Sequence, residues 1–184
     1  MFACNQTVCK FSFFYELWKY RQLKPFIFVT FVRILFNYME QDAAKDTTSK
    51  QYLLDKRYLA MAAIWAQNSY CKRRQVGALL VKSKMIISDG YNGTPSGFEN
   101  ECEDAADVTK PYVLHAEANA ITKVARSNNS SDGATLYVTS SPCIECAKLI
   151  IQAGIIRVVF SESYRVEDGI QLLRRAGIEV LQIP

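Results

Sequence analysis

The 184-residue chain holds a single histidine, His115. Any chemistry that needs an imidazole must use that one. The chain also lacks an apolar run long enough to cross a bilayer. The almost wholly apolar stretch from Phe26 to Phe36 is interrupted by Arg33, and a spanning helix needs roughly 20 residues. It fits a secretory signal poorly too, since it lies beyond Pro25 and a mixed polar-aromatic lead, with no small-residue cleavage site after it. No internal repeat and no long low-complexity run is present. A basic excess is missing from the body of the chain. The formal net charge is +4, but residues 1–38 hold five bases (Lys10, Lys19, Arg21, Lys24, Arg33) and one acid (Glu16). The remainder holds seventeen of each sign and is neutral. That speaks against long nucleic acid as a partner, because such binding rests on many phosphate contacts.

A hydrophobic fraction of 49% and a charged fraction of 22% suit one folded domain with a substantial core. The six cysteines are Cys4, Cys9, Cys71, Cys102, Cys143 and Cys146. The chain is not a small core-poor scaffold, so the expected compartment is reducing, that is cytoplasmic. Residues 1–50 read as an extension and linker, and residues 51–184 as the working domain. Met39 lies at the composition break. The expectation is that translation starts there and that residues 1–38 are not native protein. The rival is an amphipathic or partner-binding tail.

Apolar spacing predicts a helix from Tyr52 to Gln67, with Leu54, Tyr58, Met61, Ala62 and Trp65 inward. Two apolar runs, Val76–Val81 and Met85–Ser88, predict a β-hairpin, although its turn has no Asn-Gly signal. A turn-rich segment from Gly90 opens a loop to about Tyr112, and loops of that length are often functional. Then follow a helix from His115 to Arg126, a strand from Ala134 to Thr139, and a helix with Ser141 as N-cap and Pro142 at its first position. A strand from Arg157 to Phe160, a helix from Glu167 to Arg175 and a strand from Glu179 to Ile183 complete the chain. The fold class is α/β: a three-layer α/β/α sandwich on a mixed sheet, an antiparallel hairpin followed by parallel strands joined by helices.

Three residues are candidates to hold one metal: His115, Cys143 and Cys146. The cysteines sit one helical turn apart and share a face. A helix N-terminus favours thiolates. Three protein ligands leave the fourth zinc position open, the catalytic rather than the structural arrangement. Glu117, two residues after His115, would lie beside the metal as a proton carrier for zinc-activated water. His115-Ala116-Glu117 with Pro142-Cys143-Ile144-Glu145-Cys146 matches the H-x-E…P-C-x-x-C pattern of zinc deaminases acting on cytosine or adenine. Other readings are a thioredoxin-like pair at Cys143 and Cys146 and a zinc-stabilised binding module without catalysis. Glu117 argues against the latter, since a structural zinc needs no carboxylate beside it.

From about Leu54 to Ile183 the sequence resembles the deoxycytidylate (dCMP) deaminase family of the cytidine-deaminase fold. The likeness is carried by Gln75-Val76-Gly77-Ala78, Gly90-Tyr91-Asn92-Gly93-Thr94-Pro95, His115-Ala116-Glu117-Ala118-Asn119-Ala120-Ile121, Leu136-Tyr137-Val138-Thr139, and Ser141-Pro142-Cys143 through Gly154. It implies deamination of dCMP to dUMP with one catalytic zinc ion. A related deaminase of another small base, nucleoside or nucleotide is the alternative. By the resemblance Asn92 contacts the deoxyribose, Arg73 lies near the 5′-phosphate, Tyr164 lines the nucleotide pocket, and Arg126 matches a residue of effector binding. It also implies a homo-oligomer with a small nucleotide as its partner. Some members hold a second zinc near the positions of Cys71 and Cys102. With no spare histidine here, those two are expected to be free thiols.

Overall fold

The computed structural model describes residues 49–184. The expectations for residues 1–38, Met39 and the linker up to residue 48 lie outside the described residues. Helix α1 (Lys50–Ala66) is followed by β1 (Gly77–Lys82), β2 (Met85–Tyr91), α2 (Ala116–Ala125), β3 (Thr135–Ser140), α3 (Ile144–Gln152), β4 (Arg157–Glu162), α4 (Asp168–Arg175) and β5 (Glu179–Gln182). The strands form one sheet in the order β2-β1-β3-β4-β5. β1 runs antiparallel to both β2 and β3. β3, β4 and β5 run parallel, because each is reached through a helical crossover.

Alternation along the strands sorts the core into two layers. Ala78, Leu80, Leu136, Val138 and Val158 pack with Ala116, Ala120, Ile150 and Leu173, from α2, α3 and α4. The intervening residues Leu79, Val81, Tyr137 and Val159 pack with Tyr58, Leu59 and Ala62 of α1. The expected α/β/α sandwich results, with one helix on one face of the sheet and three on the other.

Helix α1 departs from the expected inward face. Met61 and Trp65 are 44% and 38% exposed, while Asp55, Leu59 and Ala66 are buried with Tyr58 and Ala62. The buried Asp55 carboxylate accepts hydrogen bonds from the Tyr137 hydroxyl at 2.7 Å and Gln51 Nε2 at 2.8 Å. Arg157 grips it with both terminal nitrogens at 2.9 Å. Burial pushes the Asp55 carboxyl up, but its bonds to Arg157, Tyr137 and Gln51 outweigh that and hold it below the usual 3.8.

The hairpin turn is tight without glycine or asparagine. Ser83 and Lys84 both take positive φ, 51° and 65°, and the Lys84 carbonyl accepts a bond from the Tyr58 hydroxyl at 2.8 Å. β2 runs past Ser88, since Gly90 and Tyr91 stay paired with Ala78 and Gly77. At Gly90 the strand meets α2 backbone to backbone. A Cβ there would collide with the Ala116 carbonyl oxygen and the Ala120 nitrogen. Ser88 Oγ donates to the Ala120 carbonyl at 2.8 Å, and Asn119 Nδ2 to the Tyr91 carbonyl at 2.9 Å. The start of α2 is thereby seated on the sheet.

Candidate active site

The C-terminal ends of β3 and β4 and the start of β1 lie along one edge of the sheet, because β1 opposes β3. Ligand sites in α/β folds gather at such edges. His115 is the N-cap of α2 and Cys143 the N-cap of α3, both with extended backbone at φ −73°. The α3 helix therefore begins two residues later than Ser141 as N-cap would require. Ser141 Oγ instead accepts a hydrogen bond from the Tyr164 backbone N–H at 2.7 Å, which fixes the segment after β4. Cys146 lies one turn into α3 and is buried.

These two helix starts bring the three expected ligands together. His115 Nδ1 lies 3.4 Å from Cys143 Sγ and 3.4 Å from Cys146 Sγ. All three ligand atoms fall within 4.8 Å of one another. Tetrahedral zinc with bonds of about 2.3 Å to sulfur and 2.0–2.1 Å to nitrogen needs N···S separations near ~3.6 Å. The donor set and its spacing fit zinc. Among the described residues this is the group able to hold a metal ion.

Without metal, the cluster stores protons unevenly. Hydrogen bonds from Cys146 and His115 lower the Cys143 thiol to about 3. Cys146 is pushed up by its bond to Cys143 and by burial. The bond to Cys143 raises His115 against the effect of burial. Glu117 is 4% exposed, and burial raises its carboxyl.

A cavity of ≈ 560 Å³ reaches this cluster at His115 and Cys143 and takes in most of the other expected site residues. Its walls include His115, Glu117 and Cys143 together with Arg73, Asn92 and Tyr164. The Asn92 side chain is largely occupied by the chain itself. Its Oδ1 accepts from the Val76 N–H and its Nδ2 donates to the Arg74 carbonyl, both at 2.8 Å. Tyr164 is 44% exposed, and its ring lies 5.8 Å from the Arg74 guanidinium carbon. Arg126 is the C-cap of α2 and does not line the cavity.

Sequence reasoning missed Glu103, Thr109 and Arg165, which line the cavity together with Arg74. Arg74 pairs with Glu162 at 2.7 Å. Glu103 and Thr109 arrive from the long loop, where only its length signalled a role. The largest correction concerns Cys71 and Cys102. Expected as free thiols, they form a disulfide between the bend that joins α1 to β1 and that loop. Joined to each other, they are not available as ligands of a second zinc. Cys143 and Cys146 are the free cysteines among the described residues.

Residues 53–162 match the family model of the cytidine and deoxycytidylate deaminase zinc-binding region. The chain is 37% identical over 169 residues to the deoxycytidylate deaminase of Enterobacteria phage T4, covering 68% of this chain and 88% of that one. The human deoxycytidylate deaminase is 43% identical over 122 residues, covering 60% of this chain and 66% of its own length. A crystal structure of the dCMP deaminase of cyanophage S-TIM5 with dCMP and dUMP superposes with a TM-score of 0.68 at 46% identity, over 70% of this chain and 95% of that chain. With the ligand cluster, the acidic neighbour and the sheet order already in place, the match over 53–162 means that this chain belongs to the cytidine and deoxycytidylate deaminase family.

Proposed function

We propose that this protein hydrolyses dCMP to dUMP and ammonia. One observation carries the reading: a single cavity joins His115 and Cys143 of the ligand cluster, and Glu117, to Arg73, Arg74 and Arg165. The first set suits deamination of a base, and the second suits an anion. The deoxycytidylate deaminases to which the chain is similar bear names that agree.

His115, Cys143 and Cys146 would hold the zinc ion, which when bound supplies an activated water at neutral pH. Glu117 carries the protons. It lies against the cluster, and its raised carboxyl suits a group that must take a proton from water and give it up again. It delivers one proton to ring N3 and one to the departing amine. Asn92, through its second amide hydrogen, and Tyr164 border the nucleoside. Arg73 binds the 5′-phosphate. Its guanidinium has five N–H donors, of which Nη1 is held by Thr109 Oγ1 at 3.2 Å.

No helix among the described residues is long and apolar enough to cross a membrane. We assign the enzyme to the cytoplasm, where nucleotide pools are found. Exposed Ile64, Trp65 and Met61 on α1 offer apolar surface for a homo-oligomer.

Steady-state kinetics tests the substrate. A charged hydrogen bond to the phosphate is worth about 1.5–3 kcal/mol, so kcat/KM for dCMP should exceed that for deoxycytidine by at least about tenfold. Arg73→Ala should erase most of that preference. Equal handling of nucleotide and nucleoside would make this a nucleoside deaminase.

A further inference from the structure

The long loop between β2 and α2 folds back onto the bend that carries Arg73, and three contacts join them. Glu103, 8% exposed, accepts the backbone N–H of Lys72 at 3.2 Å and that of Arg73 at 3.3 Å, one on each carboxylate oxygen. Thr109 Oγ1 accepts from Arg73 Nη1. The Cys71–Cys102 disulfide links the residues just before Lys72 and Glu103. Glu103 also lines the cavity, so it places a carboxylate in the wall where an anion is to bind.

We propose that Glu103 is a positioning residue that sets the preference for nucleotide over nucleoside, by holding the Lys72–Arg73 backbone so that the Arg73 guanidinium meets the phosphate. This rests on the reading of the cavity as a site for a nucleoside monophosphate. Two effects of Glu103 oppose each other. Its charge repels a phosphate, so as a charge alone its removal would improve dCMP binding. Its two part-buried bonds to consecutive N–H groups fix the bend, so as a clamp its removal weakens dCMP binding. The clamp dominates, because one side chain holds two consecutive backbone N–H groups at once. Arg73, Arg74 and Arg165 line the same cavity, with Arg74 paired to Glu162, and offset the repulsion. A glutamine in its place offers one acceptor oxygen and turns an NH₂ group toward an N–H donor.

The test is the ratio of kcat/KM for dCMP to that for deoxycytidine in wild type, Glu103→Gln and Glu103→Asp, with bound zinc measured in each. In Glu103→Gln the dCMP value should fall at least about tenfold, through KM, while the deoxycytidine value stays within about twofold and zinc is retained. Glu103→Asp keeps both acceptor oxygens and should restore part of the ratio. If Glu103→Gln does not fold, the Glu103→Asp ratio decides, since a shorter clamp must still lower it. A ratio that is unchanged or raised in both variants overturns the proposal. So does a parallel loss on both substrates, which would mean direct contact with the sugar or a general defect. A wild type without preference for dCMP overturns the nucleotide reading and this proposal with it. A wild-type preference that survives Glu103→Gln overturns this proposal alone.

Discussion

On the proposed reading Glu117 and the three candidate ligands divide the work of the site, and their protons make that division measurable. Glu117→Gln keeps shape and removes the proton carrier. Zinc content should stay at one per chain while the chemical step slows by about 10²-fold or more; single-turnover rates with metal analysis check both. Zinc must also displace protons to bind. The metal-free cluster already holds Cys143 as a thiolate, whereas Cys146 is raised and His115 is raised. Binding needs a thiolate and a neutral imidazole from the last two. Zinc affinity should therefore climb as pH rises and fall in acid, as competition with a chromogenic chelator would read; a flat profile contradicts it. The place of Arg73 and Tyr164 in the cavity wall was foreseen only through the resemblance, because a cation and an aromatic ring on loops carry no spacing signal. His115, Glu117, Cys143 and Cys146 were legible outright, because metal chemistry demands those residue types.

Helices and strands set where these groups stand. Gly90 is the clearest case, since it touches no ligand and yet seats the start of α2. Gly90→Ala should push α2 away, costing about 1–3 kcal/mol from overpacking, and lower zinc affinity as well. Denaturant melts and metal titration would show the two losses together. Asp55 binds α1 to β3 and β4. Asp55→Asn would remove the buried one of the two charge partners of Arg157, leaving Glu179 at 3.0 Å, at a cost of about 1–3 kcal/mol. Because the folded carboxyl lies below its ordinary value, its contribution is present above the unfolded pKa and fades as pH falls through the folded one. Wild type should thus lose more stability than Asp55→Asn on acidification below about pH 4. The hairpin and the parallel strands followed from period-two patterning and from helix-length connections. Asp55 was hidden because pattern reading assigns carboxylates to the surface, and only the fold brings Arg157 and Tyr137 to it. Ser141-Pro142 misplaced the start of α3 because the serine hydroxyl is engaged by Tyr164, not by the helix.

At the scale of the whole domain, the Cys71–Cys102 bond closes a loop across a sequence separation of 31 residues. A loop of that length should stabilise the fold by about 3–4 kcal/mol. Urea midpoints of Cys102→Ser against wild type, with zinc content equal, would measure it. No spacing rule foretold the pairing, which depends on the long loop returning to the bend that joins α1 to β1. The bond also gives the protein a chronology. The described residues contain one oxidised pair and one free pair, and Cys71 and Cys143 border the same cavity. An oxidant able to join the first pair reaches the second, and Cys143 is the sulfur already held as a thiolate. The four cysteines of the described residues alone admit three complete pairings, and each of them ties up Cys143 and Cys146. Metal arriving before the oxidant shields Cys143 and Cys146, while metal arriving afterwards finds its seat sealed. Protein matured in zinc and then oxidised should be uniform by disulfide mapping, and protein oxidised first should be a mixture that later zinc cannot rescue.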